Sequence, residues 1–91
     1  MQQTPEQPSQ RNPMTVEEGL RWIADLFQEA PGTLTAETPR SAILGWDSLG
    51  VLMLMAALDE TFNLVVTDDD TRPMKKVGDI LELLRKNGKL T

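Results

Sequence analysis

The segment from Leu49 to Leu58 is apolar at every position except Gly50, in a chain of only 91 residues. A membrane-spanning helix needs about 20 such residues, roughly twice this length, so we expect no membrane span. A helix that faces a core needs one apolar stripe, with residues at i, i+3, i+4 and i+7. The residues that supply such a stripe are Leu49, Leu52, Met55, Leu58 and Phe62. The segment therefore predicts a helix with more apolar side chains than one core-facing stripe uses.

Two of these side chains, Met53 and Ala57, fall outside the stripe. Either the helix is central in a bundle, or its outer face is a docking surface, because contiguous exposed apolar patches usually mark contacts. A fully surrounded helix is hard to build in so small a domain, which favours docking. Methionine also suits a surface that repacks against a partner.

The composition limits the chemistry that the chain can perform. It contains no Cys and no His, which removes disulfides, thiolate metal sites, the usual general base and the usual nitrogen ligand of zinc. Its net charge of -5 opposes nucleic-acid binding, which requires a surplus of Lys and Arg. The apolar fraction of 40% is ordinary for a globular protein. We therefore expect one small domain that is not an enzyme, holds no metal and binds no nucleic acid.

The first residues of the chain differ in composition from the rest. Residues 1–13 contain three of the six prolines and almost no apolar side chain. Such a stretch cannot offset the entropy cost of ordering, so residues 1–13 are predicted to be a flexible tail and residues 14–91 a helical domain. The tail also lacks the apolar run of a signal peptide, so we expect a cytoplasmic protein.

The first helix has a clear start in the sequence. Thr15 followed by Glu18 is a capping box, in which the two side chains satisfy free amide donors. The apolar stripe that follows consists of Leu20, Ile23, Phe27 and Ala30, and Pro31-Gly32 is predicted to end the helix. A long loop then runs from Gly32 to Asp47, and the side chains expected to pin it to a core are Leu34, Ile43 and Leu44.

Asp47 and Ser48 mark the start of the apolar helix. Asp47 is a good N-cap residue, which puts Ser48 at the first helical position. Free amide donors and the positive end of the helix dipole meet there, so a phosphate on Ser48 would be stabilised. Because no His exists to activate the Ser48 hydroxyl, any chemistry at Ser48 must be performed by another enzyme.

The last third of the chain predicts two further helical pieces. Asp68-Asp69-Asp70 is predicted to be a solvated acidic helix start, because Pro73 and Asp79 stand where a calcium loop needs Gly and Glu. A final helix is predicted from the stripe Val77, Ile80, Leu81 and Leu84. Lys76 offers no side-chain acceptor at its start, so we expect that start to be frayed.

The segment Asp47–Phe62, with a helix before it and a helix after it, resembles the acyl carrier protein family. The hallmark of that family is an Asp-Ser-Leu triplet that opens the second helix, matched by Asp47, Ser48 and Leu49. The pattern that follows in the family is matched by Ala57, Leu58, Asp59, Glu60 and Phe62. The resemblance covers roughly residues 15–88. It implies an all-α four-helix bundle with a short third helix and a long loop between helices one and two.

The resemblance also implies a mechanism. A phosphopantetheinyl transferase would attach the 4′-phosphopantetheine of coenzyme A to Ser48, with Asp47 and Leu49 completing the attachment motif. The thiol of this arm would hold acyl groups as thioesters for acyl-loading and acyl-processing enzymes of fatty acid, polyketide or other specialised biosynthesis. The chain itself would be a monomeric carrier without catalytic activity. The missing nucleophile, base and metal site are then explained, because the reactive sulfur arrives with the prosthetic group.

The sequence departs from the common fatty-acid pattern on the second helix. The family usually places acidic residues on the exposed face of this helix, where they meet basic patches on partner enzymes. Here Gly50 and Met53 fill two of those positions, and only Asp59 and Glu60 remain near the helix end. These four residues and Ala57 form the predicted docking surface. Weaker electrostatic steering and stronger apolar contact indicate a specialised acyl, aminoacyl or peptidyl carrier.

Some alternatives remain open at this point. A carrier-like fold that has lost its modification would serve only as an interaction module, for which the apolar helix is the evidence. A helix-turn-helix DNA binder is permitted by the short helices but opposed by the charge of -5 and by the lack of a basic recognition helix. Trp46, just before the triplet, either shields the prosthetic arm or packs in the core.

Overall fold

The computed structural model describes residues 13–91, which form four α-helices and no strand. The helices are α1 (Val16–Phe27), α2 (Ser48–Phe62), α3 (Asp68–Thr71) and α4 (Val77–Lys86), and a 3₁₀ turn spans Arg40–Ala42 in the loop between α1 and α2. The predicted all-α bundle with a short third helix is confirmed. Most of the predicted N-terminal tail, residues 1–12, lies outside the described residues.

The start of α1 agrees with its capping box, but its end does not agree with the prediction. Glu18 N donates to Thr15 Oγ1 at 3.1 Å, and Thr15 N donates to Glu18 Oε1 at 2.9 Å. The helix ends at Phe27, because Gln28 adopts the left-handed conformation with φ 60°. The predicted stop at Pro31-Gly32 was therefore wrong by one turn, and Ala30 lies beyond the helix.

The core forms where α1, α2 and α4 meet. The predicted stripe of α4 is confirmed in full, because all four of its apolar side chains are buried. The buried apolar residues are Ile23, Ala24, Phe27, Leu34, Ile43, Trp46, Leu54, Leu58, Val66, Met74, Val77, Ile80, Leu81, Leu84 and Leu90. Burial of this set is the main stabilising contribution to the fold.

The helix α2 turns a different face to the core than its sequence predicts. Its buried residues are Gly50, Leu54 and Leu58, spaced by four, whereas the predicted Leu52 is 61% exposed. Leu49 is also exposed, while Met55 and Phe62 are half-buried. A helix that is apolar on every side carries no amphipathic pattern to fix its rotation, so close packing against its neighbours sets it instead.

The long loop between α1 and α2 is fastened to the start of α4. Arg40 N donates to Lys75 O at 2.8 Å, Val77 N to Thr38 O at 2.9 Å and Gly78 N to Ala36 O at 2.8 Å. The loop residues Leu34 and Ile43 are buried as predicted, but Leu44 is 91% exposed. Leu44 was therefore wrongly expected to pin the loop.

The start of α4 is capped from inside the helix. Asp79 Oδ2 accepts hydrogen bonds from Lys75 N at 2.7 Å and from Lys76 N at 3.2 Å. These bonds satisfy backbone donors that would otherwise be free at a helix N-terminus. The expected fraying at Lys76 was wrong, because the capping side chain follows the N-cap position instead of occupying it.

Backbone hydrogen bonds join the two ends of the domain. Met14 N donates to Lys89 O at 3.0 Å, and Thr91 N donates to Met14 O at 2.8 Å. The two segments form one isolated parallel bridge between Met14 and Leu90. Within residues 13–91 no helix has both the length and the apolarity needed to cross a bilayer.

Candidate functional site

The start of α2 presents Ser48 to solvent. Asp47 is the N-cap, and its Oδ1 accepts a hydrogen bond from Gly50 N at 2.9 Å. Ser48 is the first helical residue, and its side chain is exposed. The predicted geometry is therefore present: a free hydroxyl lies at the positive end of a 15-residue helix.

Two glycines allow this helix start to lie against the preceding loop. A Cβ atom added to Gly50 would be only 1.9 Å from the carbonyl oxygen of Gly45, and one added to Gly45 would be 2.9 Å from the carbonyl oxygen of Phe27. No side chain fits at Gly50 without a shift of backbone. Gly50 is buried, so its predicted place on the docking surface was wrong.

The residue before the N-cap, Trp46, belongs to the core. It is 4% exposed and stacks on Phe27, with ring centroids 5.3 Å apart and an interplanar angle of 16°. Of the two interpretations of Trp46, packing is the one that the structure supports. Its indole Nε1 is buried and has no hydrogen-bond partner within residues 13–91.

Arg40 is held against Trp46 by two contacts. Its Nε donates to the backbone carbonyl of Trp46 at 3.1 Å, and its guanidinium carbon lies 5.5 Å from the centroid of the indole ring. The second distance is in the range of a cation–π interaction. Arg40 lies in the long loop, where periodicity gives no information about spatial neighbours, so the sequence did not reveal it as a site residue.

An open groove runs from Ser48 toward α3. Its volume is about 360 Å³, and it is lined by Arg40, Ser48, Val51, Leu52, Asp68, Thr71 and Arg72. Two basic side chains therefore share the groove with the serine hydroxyl. The carboxylate of Asp68 lines the same groove, so the groove holds charges of both signs.

The acidic residues at the start of α3 are solvated, as predicted. Asp68, Asp69 and Asp70 are exposed, and Arg72 forms ion pairs with Asp68 and, at 3.7 Å, with Asp69. Hydrogen bonds from the backbone and the hydroxyl of Thr67 hold the pKa of Asp70 below 3.8. In the part of the chain that the structure describes, no cluster of acidic residues is arranged to hold a metal ion.

The exposed face of α2 is apolar near Ser48 and acidic at its far end. Leu49, Leu52 and Met53 are exposed large apolar side chains, and Leu44 is exposed in the preceding loop. Of the residues predicted for docking, Met53, Asp59 and Glu60 are exposed and Ala57 is half-buried. The exposure of Leu49 and Leu52 was not predicted, because the core stripe expected from the sequence included both.

Comparisons with known proteins agree with this architecture. No protein-family model matches the chain. An acyl carrier protein of Bdellovibrio bacteriovorus is 37% identical over 59 residues, which cover 65% of this chain and 76% of the relative. Acyl carrier proteins of Porphyromonas gingivalis and Helicobacter pylori are 33% and 32% identical over 65 residues, covering 71% of this chain and 83% of each relative.

These relatives define the class of protein as a carrier and not an enzyme. The chain belongs to the acyl carrier protein family. The prosthetic group of that family is covalently attached 4′-phosphopantetheine, and the role of its members is to carry acyl groups in biosynthesis. The missing His and Cys agree with this role, because the reactive thiol belongs to the prosthetic group.

Proposed function

We propose that Ser48 is the attachment site of 4′-phosphopantetheine and that the chain holds acyl intermediates as thioesters on this arm. The observation that carries the proposal is the exposed hydroxyl of Ser48 at the first position of α2. A phosphodiester there meets the positive end of the helix dipole. Asp47 caps the same turn, and Leu49 follows Ser48 as the third residue of the attachment motif.

The attachment step is a phosphoryl transfer that a phosphopantetheinyl transferase performs. The Ser48 oxygen bonds to the phosphorus that carries the pantetheine group, and the bond between this phosphorus and the bridging oxygen of coenzyme A breaks. Adenosine 3′,5′-bisphosphate leaves, and the hydroxyl proton goes to a base on the transferase. This chain contributes the exposed oxygen and its position, since it has no His to act as a base.

The attachment is tested by mass spectrometry of the intact protein. Apo protein, coenzyme A and a broad-specificity transferase are expected to give a product heavier by one phosphopantetheine, and Ser48→Ala is expected to abolish the increase. Ser41→Ala is the matched control, because Ser41 is a second exposed serine in the loop that precedes α2. A mass increase that survives Ser48→Ala contradicts the proposal.

We propose that partner enzymes dock on the exposed apolar face of α2, formed by Leu49, Leu52 and Met53. No charged residue lies between Ser48 and Leu58, so a basic patch on a partner would meet acidic residues of α2 itself only at Asp59 and Glu60. Apolar contact then contributes more to binding than electrostatic steering does. This surface favours a dedicated partner set and a specialised acyl, aminoacyl or peptidyl carrier. We further propose that the carrier acts as a cytoplasmic monomer.

Exchange between pathways tests the specialised role. The acylated protein is offered to housekeeping fatty-acid enzymes. The rate at which these enzymes turn it over is compared with their rate on their own acylated carrier. We expect the rate with this chain to be lower by tenfold or more, which corresponds to about 1.4 kcal/mol of lost recognition. Equal rates contradict the specialised role. A protein isolated without any group on Ser48 would instead support an unmodified interaction module.

A further inference from the structure

The groove beside Ser48 contains a cation, Arg40, that has no carboxylate partner within residues 13–91. Arg40 is half-buried, and none of the ion pairs among residues 13–91 includes it. Among the described residues its side chain donates one hydrogen bond, from Nε to the carbonyl of Trp46, and the two terminal nitrogens of the guanidinium donate to none of them. A guanidinium whose orientation is fixed in advance loses less entropy when it binds an anion.

The electrostatics of the groove distinguish Arg40 from Arg72. Both line the groove with Ser48, but Arg72 is already neutralised by Asp68 and Asp69. Asp47, the exposed N-cap residue directly before Ser48, carries a carboxylate that would repel a negative group on Ser48. Arg40 is therefore the charge in this groove that remains available to offset that repulsion.

We propose that Arg40 binds the phosphodiester that joins the prosthetic arm to Ser48. This inference rests on the proposed attachment site. Arginine matches phosphate oxygens through paired N–H donors, and such charge-assisted bonds are stronger than neutral ones. The terminal nitrogens of Arg40 are the donors, and Nε keeps its bond to Trp46, so the phosphate adds a partner to the guanidinium without displacing one.

Binding at Arg40 has a consequence that attachment at Ser48 alone does not have. Arg40 N is bonded to Lys75 O, so the residue is fixed to the start of α4 as well as to Trp46. A phosphodiester held by Arg40 connects α2 to this fastened loop. Loading of the arm should therefore stabilise the fold and restrict rotation about the first bonds of the arm, while the thiol end stays mobile.

The test compares apo and loaded protein within each variant. In low salt, loading is expected to raise Tm by a few degrees in the unmodified sequence and to move the Arg40 Nε–H resonance in a ¹H–¹⁵N spectrum. In Arg40→Gln the gain in Tm is expected to be lost. The matched control is Arg21→Gln, which removes the same charge from an exposed position on α1 outside the groove and should keep the gain.

Salt supplies a second measurement that needs no variant. At 1 M salt the screening length falls to about 3 Å, and the gain in Tm on loading should shrink.

The ³¹P resonance of the phosphodiester should also shift between Arg40→Gln and Arg21→Gln. If Arg40→Gln does not fold, an unmoved Arg40 resonance and a salt-independent gain in the unmodified sequence overturn the proposal.

Mass spectrometry distinguishes failure of the proposed role of Arg40 from failure of the proposed attachment site. Protein that gains phosphopantetheine on Ser48 but shows no difference between Arg40→Gln and Arg21→Gln overturns the role of Arg40 and leaves the attachment site standing. Protein that gains no mass on Ser48 overturns the attachment site and the role of Arg40 together.

Discussion

The carbonyl oxygen of Gly45 lies so close to the α-carbon of Gly50 that a Cβ atom at position 50 would be 1.9 Å from it. This contact sets the rotation and position of α2 relative to the loop that precedes it. It explains why Gly50 stands inside a helix where its flexibility is otherwise unfavourable. The orientation of Ser48 and of the apolar face of α2 depends on it.

Replacing Gly50 with Ala should destabilise the protein. Helix propensity alone predicts a gain of about 1 kcal/mol. Overpacking costs about 1–3 kcal/mol, and the cost here lies at the upper end, because the atom in the way is a backbone oxygen that only a shift of backbone can move. Urea unfolding should therefore show a net loss of stability. The reverse exchange at an exposed site of the same helix, Ala56→Gly, should cost about 1 kcal/mol by propensity alone. A more stable Gly50→Ala protein contradicts the close contact.

The N-cap of α2 can be tested separately from its serine. Asp47→Ala removes the acceptor of the Gly50 N–H and should lower the free energy of unfolding by about 1 kcal/mol. Asp47→Asn keeps an acceptor and should change stability by only a few tenths of a kcal/mol. Urea denaturation measures both variants. Equal losses in the two would show that charge and not capping is the contribution of Asp47.

Asp70 should make the protein less stable in acid. Its pKa is lowered below 3.8 by the hydrogen bonds from Thr67, so the unfolded chain binds the proton more readily than the folded one. The stabilisation is present above the unfolded pKa and is lost as the pH falls through the lower, folded-state pKa. Between about pH 5 and pH 3, the Tm of the unmodified sequence should decrease more steeply with falling pH than the Tm of Asp70→Asn. Asp25→Asn, which removes an exposed carboxylate from α1, is the charge-matched control, and a profile flattened equally by both variants would contradict the role of the Thr67 hydrogen bonds.

The buried indole of Trp46 should tolerate Phe far better than Ala. Trp46→Ala removes the stack on Phe27 and leaves a cavity, which costs about 3–5 kcal/mol. Trp46→Phe keeps a ring against Phe27 and removes the unpartnered Nε1, whose burial costs about 1–3 kcal/mol. The smaller ring loses some contacts, so the free energy of unfolding of Trp46→Phe should differ from that of the unmodified sequence by no more than about 1 kcal/mol. Chemical denaturation followed by circular dichroism distinguishes these outcomes.

A charge should weaken partner binding when it is placed on the apolar face of α2 but not when it is placed elsewhere on the surface. Leu52→Glu places a carboxylate on the proposed docking surface and should weaken binding to the cognate partner about tenfold, with little change in stability. Val65→Glu is the matched control, since Val65 is exposed outside α2. Isothermal titration calorimetry at low and high salt measures the affinity of both variants for the partner. Equal affinities of the two variants would remove Leu52 from the docking surface.

Local signals in the sequence predicted the starts of α1 and α2 and the buried stripe of α4. The capping box of Thr15, the N-cap Asp47 and the buried stripe of α4 involve residues within one or two turns of each other. Such patterns are fixed by the geometry of a single helix, and so they can be found without knowledge of the fold. For the same reason the motif around Ser48 was visible.

Contacts between distant segments could not be found in the same way. The rotation of α2 depends on Gly45 and Gly50, and a helix with apolar residues on all sides gives no periodic pattern from which to infer it. The position of Arg40 beside Ser48 depends on the bonds of the loop to Lys75 and Trp46. Both features arise from tertiary packing, and one of them places a cation at the candidate site.

The parallel bridge that joins Met14 to Leu90 determines how this domain could be connected to others. Because residues 14 and 90 are neighbours, tethers fused to either end would leave from one point on the surface. A neighbouring domain on such a tether would let the carrier pivot as a rigid body about a single anchor. A circularly permuted chain that joins these ends by a short linker would keep the core contacts intact.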